Sequence, residues 1–272
     1  MKKSFKLTML TVVVIVFLAS CNKSGKNNAT GTSADKLSKE EIKEGIEKIV
    51  FPLPEPMGVY QMLEDIGASY IGDILNPVES IEKYFASNVK ATNLGVYSAD
   101  LSYATVYDKK DAIDSYTKSM KILIDDLGIK VDYKNLLSDE TKQKAENIDS
   151  LIKITTKVFY DTYEFLYEES DPALAALMVN GLYIEGLYIA THISKETFDN
   201  VEMVKIIYSQ SKPLEKLIEL NSKFIDNQYI ETLQNALTKL KLQYDSTDGS
   251  LTKEQLDSIT NIIETIRGSL VS

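Results

Sequence analysis

Glu185, Tyr188 and His192 stand three and four residues apart in Tyr183-Ile-Glu-Gly-Leu-Tyr-Ile-Ala-Thr-His192. On a helix this spacing puts a carboxylate, a phenol and the single imidazole of the chain within about 60° of one another. Such a face could move protons or hold a small ligand. Asp100, Tyr103 and Tyr107 form a second set with similar spacing on another apolar segment. In both sets a mid-helix carboxylate lies among apolar residues, where an ionised group without partners would be expensive. The non-catalytic explanation is that the carboxylates accept from tyrosine hydroxyls in the core, while His192 sits near a helix end where the dipole favours a cation. The expected pairs are then Asp100 with Tyr103 or Tyr188, and Glu185 with Tyr97 or Tyr107, as a structural clasp or the floor of a ligand site.

Other chemistries find less support. Nucleophilic catalysis would need a cysteine beyond Cys21 or a Gly-x-Ser-x-Gly elbow, and the sequence offers neither. A helical di-iron site needs two Glu-x-x-His pairs, which one histidine cannot supply. With 40 acidic residues, two carboxylates at a glycosidase spacing would arise by chance. There is no glycine-rich phosphate loop. No catalytic residue, metal ligand or cofactor is therefore assigned. The balance lies with a binding or scaffold module that presents a helical groove to an envelope protein or a small ligand. The alternative is a haem or metal binder, or a hydrolase, using the Glu185, Tyr188 and His192 stripe.

The element that must position this stripe is the apolar stretch from Asp171 to Ser194. Asp171 suits an N-cap and Pro172 the first helical position, where no amide hydrogen is needed. The following residues are apolar nearly all round, which marks a helix enclosed by others, and the stretch reads as too polar for a membrane span. Gly181 and Gly186 each cost about 1 kcal/mol relative to Ala inside a helix, and close approach of a neighbouring backbone is the simplest reason for both.

Around it the chain reads as all-α. Ser38 to Glu41 is a capping box opening a helix to about Val50, and three prolines in Phe51-Pro-Leu-Pro-Glu-Pro56 break it into an extended strap. Met57 to Ile74 has a helical pattern, and Asn76-Pro77 reads as a cap for a short helix to about Phe85. The helix carrying Asn93 to Asp108 precedes an amphipathic one from Asp111 to Leu127, closed by Gly128. Long helices are expected over about 140–168 and through the central stretch. Further helices are expected over 194–209 and 211–224, with a break near Pro213, and over 227–244. Thr252-Lys-Glu-Gln255 caps a last helix to about Arg267. No strand pattern of useful length and no repeat at the roughly 34-residue tetratricopeptide period is present. The expected fold is a single multi-helix bundle of about nine helices, largely antiparallel.

The N-terminus carries a separate message. Lys2, Lys3 and Lys6 precede an apolar run of about a dozen residues, shorter than the roughly 20 that span a bilayer, ending in Leu18-Ala19-Ser20-Cys21. This is a signal peptide with a lipobox, and Cys21 is the only cysteine. The pattern resembles bacterial lipoproteins, in which that cysteine is lipidated and becomes the first mature residue. The resemblance implies three acyl chains, more than the two signals that stable anchoring requires. The expected division is 1–20 signal, 21–36 polar tether and 37–272 helical domain. Surface-exported lipoproteins of Bacteroides-like bacteria typically carry an acidic cluster after this cysteine, and none follows Cys21, so the resemblance implies the periplasmic face of the outer membrane. The net charge of -10, falling to -13 with the signal removed, repels nucleic acid and anionic headgroups. The membrane partner is reached through Cys21.

Asn93-Leu-Gly-Val-Tyr-Ser-Ala-Asp-Leu-Ser-Tyr103, Asp126-Leu-Gly-Ile129 and Tyr183-Ile-Glu-Gly-Leu-Tyr-Ile-Ala-Thr191 together resemble an uncharacterised family of helical lipoproteins of Bacteroides-like bacteria. The resemblance spans most of the mature chain and implies a lipid-anchored helical domain.

Overall fold

The computed structural model describes residues 69–131, 148–196, 201–247 and 249–272. The lipobox, the tether, the capping box at Ser38, the proline strap and the first part of the 57–74 pattern lie outside the described residues. The chain divides into Met1–Lys36 and Leu37–Ser272, and everything described belongs to the second unit.

The described residues form eight α-helices: α1 (Ser87–Val106), α2 (Lys110–Asp126), α3 (Ile148–Glu169), α4 (Pro172–Glu196), α5 (Val201–Ser209), α6 (Ser211–Ser222), α7 (Gln228–Asp245) and α8 (Lys253–Val271). No strand occurs among them, so the fold is the expected all-α bundle. The local signals act where their chemistry places them. Asp171 Oδ1 accepts from the amide of Ala173 at 2.9 Å, and Asn227 caps α7 through the amides of Tyr229 and Ile230. Thr252 and Gln255 form the reciprocal capping box of α8. Gly128 ends α2 at a φ of +68°, where glycine alone is unstrained.

α4 is the hub and packs against α1, α3, α5, α6 and α8, with its largest interface to α1. Every residue from Ala173 to Glu185 is buried. By length and composition Pro172–Ile193 could cross a membrane, which corrects the reading that it is too polar; 83% of its apolar window is buried inside the bundle, as in the core helix of a soluble fold. α1 is enclosed just as fully from Ala91 to Leu101. Its small hydroxyls bond back along the helix: Thr92 donates to Asn88 O at 2.8 Å and Ser98 to Leu94 O at 2.7 Å.

The two buried helices meet through glycine. A Cβ on Gly181 would stand 1.9 Å from Thr92 O, and one on Gly95 the same distance from Met178 O. Gly186 plays no such part, because a Cβ there would meet nothing within 4 Å. The expectation that it too marks a close approach is corrected. The reason is angular: five residues from Gly181 is about 140° round the helix, away from α1. Next to the crossing, Asn180 and Asn221 exchange amide hydrogen bonds of 2.7 and 2.9 Å between α4 and α6 in a fully buried pair.

Two expectations fail in the segment before α1. Residues 69–71 are not helical, and Gly72–Ile74 and Val78–Lys83 are 3-10 turns. Asn76 caps nothing with its side chain, since it is drawn into the core by tertiary partners. Ser211–Ser222 tolerates Pro213 in its first turn, where the missing amide hydrogen would find no partner within the helix.

Candidate functional site

Asp100 on α1 and Glu185 on α4 come together in the core, both fully buried. Sequence reasoning placed them there and assigned the wrong partners. Glu185 is gripped by Arg267 of α8: Nε donates to Oε2 and Nη2 to Oε1, each at 2.9 Å. Asp100 Oδ2 accepts from the backbone amide of Asn76 at 3.3 Å, and Oδ1 meets no donor. A guanidinium fork gives two charge-assisted bonds in the geometry of a carboxylate, which a phenol cannot match.

Tyrosine hydroxyls instead bind the backbone of the segment before α1. Tyr97 donates to Pro77 O at 3.1 Å, and Tyr116 donates to Asn76 O at 3.1 Å. Tyr103 accepts from the amide of Ile71 at 3.1 Å. Tyr84 accepts from Asn76 Nδ2 at 3.0 Å. Tyr107 sets its ring at a tilt against Tyr103 and Tyr70 at the end of α1, at 5.0 and 5.6 Å between ring centroids.

The electrostatics follow from two carboxyls and one cation in a dry core. Burial, then the charge of Glu185, pushes the Asp100 carboxyl well above the usual range, and the two groups lie within hydrogen-bonding reach. Burial also raises Glu185, but Arg267 holds it back. Burial works against the charge on Arg267, and its bonds to Glu185 more than offset this. One guanidinium faces two buried carboxyls, so the pair takes up protons as a unit more readily than free carboxylates do.

From Arg267 the polar chain continues outward along the predicted stripe. The guanidinium lies over the Tyr188 ring at 4.2 Å, and Tyr188 packs on His192 at 3.8 Å between centroids. His192 Nε2 is 3.1 Å from Glu264 of α8. Thus all three stripe residues face α8, with Glu185 sealed and Tyr188 and His192 half-buried.

Sequence reasoning missed Arg267, Asn76, Tyr116 and Glu264. The α8 pattern held one usable signal: Arg267 follows Ile263 by four residues and Thr260 by seven, on the stripe that is buried. Reading the helix as ending near Arg267 hid it, since a cation at a helix C-terminus needs no other explanation; the helix in fact continues to Val271.

Chemically, the arrangement is a closed clasp. Both oxygens of Glu185 are engaged by one guanidinium whose side chain is only 13% exposed. Among the described residues, no group of three His, Cys, Asp or Glu side chains could hold a metal ion. Fold and site together define an all-α bundle with a buried carboxyl–guanidinium centre. Comparison with known protein families, curated proteins and solved structures finds no match.

Proposed function

We propose that the chain is a cell-envelope lipoprotein, anchored in the outer membrane through Cys21 and facing the periplasm, whose helical domain is a non-enzymatic binding or scaffold module. The observation that carries the non-enzymatic part is the bidentate Glu185–Arg267 pair inside the bundle. The side chains best suited to acid-base work hold one another and offer no free carboxylate to a substrate. The anchoring part rests on the lipobox and on the likeness of the buried-helix motifs to helical lipoproteins of Bacteroides-like bacteria. The burial of α4 supports it too, since a helix enclosed by its own bundle is not available to the bilayer. The partner is an envelope protein or small ligand and not nucleic acid, given the net charge of -10.

The test is fractionation of cells expressing Cys21→Ser together with labelled palmitate. Loss of label, with release from the membrane or retention of the uncleaved precursor, is the expected result. Normal processing and membrane retention of the variant would overturn the anchor.

A further inference from the structure

We propose that residues 71–84 form a latch that stays shut on α1, α2 and α8 only while one proton is held between Asp100 and Glu185.

The segment has no α-helix of its own, and what fastens it is a row of bonds from the bundle to its backbone. Ile71 N donates to Tyr103, Arg267 Nη2 donates to Ile74 O at 3.2 Å, Asn76 N donates to Asp100, and Asn76 O and Pro77 O accept from Tyr116 and Tyr97. Two of these fastenings, at Ile74 and Asn76, come from the buried charge centre itself. Leu75, Asn76, Ser80 and Tyr84 are buried while Pro77 and Glu79 are exposed, so the segment is a single layer between the centre and water.

The donor inventory shows why a proton is needed. Both Nε and Nη2 of Arg267 are committed to Glu185, which leaves Asp100 the Asn76 amide and nothing on Oδ1. The groups that act on Asp100 are Glu185 from α4 and Arg267 from α8. Around them stand Tyr97 on its own helix, Tyr116 on α2 and Tyr70 ahead of the latch, all of whose phenols are pushed up by burial and by the nearby acid. No second cation is among them. Without the proton, two anions compete for one guanidinium in a dry core, and hydration is the relief. α1, α4 and α8 are long packed helices, so the single layer is the part that yields with least loss of burial.

The test is hydrogen exchange on the full chain from pH 4 to 9, expressed as protection factors so that the intrinsic pH dependence of exchange is removed. Peptides from 71–84 are expected to lose protection by up to about tenfold per pH unit over the range in which opening releases the proton, from the ordinary carboxyl range upward, and to level off once the closed state has itself lost it. Peptides from 172–185 should hold theirs. Asp100→Asn keeps the shape without the charge and should flatten the response of the latch. An unchanging latch in the wild type, the same slope in Asp100→Asn, or parallel loss in α4 would each overturn the proposal. Should the variant not fold, infrared spectroscopy of the wild type decides. The carbonyl band of a buried carboxylic acid must be present where the latch is shut and fade over the range in which it opens, and its absence from the shut state refutes the device.

Discussion

Gly181→Ala and Gly186→Ala are the same substitution in the same helix, and the structure gives them opposite signs. At Gly181 the new methyl would sit 1.9 Å from Thr92 O and 3.1 Å from Val96 N. Ordinary contact is about 3.5 Å, so the two backbones must part by roughly 1.5 Å. Both obstructing atoms belong to main chain, and no rotamer change can absorb the methyl. Overpacking costs about 1 to 3 kcal/mol, and a backbone clash belongs at the upper end; the better helix propensity of Ala returns about 1. A net loss of about 2 kcal/mol follows, or about 4 to 8 °C in melting temperature for a domain of this size. At Gly186 the methyl meets nothing within 4 Å, so only the propensity acts, and a gain of about 0.5 to 1 kcal/mol is expected. Urea unfolding followed by circular dichroism reads both variants, with parallel slopes showing that neither changes the unfolded state. If Gly181→Ala proves as stable as Gly186→Ala, the glycine crossing is not where α1 and α4 are closest, and the packing argument fails.

Arg267→Met should destabilise the bundle by about 3 to 5 kcal/mol, because it leaves Glu185 buried without a cation, and adding Glu185→Gln should restore much of the loss. Chemical denaturation of the two singles and the double decides, and additive losses would mean the pair is not coupled. Stability should also fall as pH rises because of Asp100. Its folded carboxyl is raised above the ordinary value of 3.8, so its contribution is whole below that value and is lost from there upward at up to about 1.4 kcal/mol per pH unit. The stability difference between Asp100→Asn and wild type should therefore widen as pH rises from 3.8, and a constant difference would exclude a raised carboxyl at Asp100.

The boundaries of these helices were legible because capping is local chemistry: Asp171, Asn227 and the Thr252–Gln255 pair act on amides within three residues. The buried acids were legible too, since a carboxylate among apolar residues at helical spacing must find a partner. The identity of that partner was not, because Arg267 is 82 residues from Glu185 and nothing local distinguishes a guanidinium that turns inward from one at a solvated helix end. Asn76 misled for the same reason. Beside Pro77 it looks like a cap, and only the fold reveals that Tyr84 and Asp100 claim its side chain and its amide. Both glycines of α4 looked alike because periodicity tells which residues share a face and not which face meets another backbone.

The glycine crossing also constrains the order in which the chain can assemble. Gly95 and Gly181 are far apart in sequence, so this close backbone contact is made late in synthesis, after α4 has emerged. The cation comes later still, because Arg267 lies in α8, beyond α4. Until it arrives, Asp100 and Glu185 are two acids with no counter-ion and every reason to stay hydrated. A nascent chain stopped before α8 would thus hold α1 and α4 apart at the buried acids, and the emergence of α8 is the event that lets the core close.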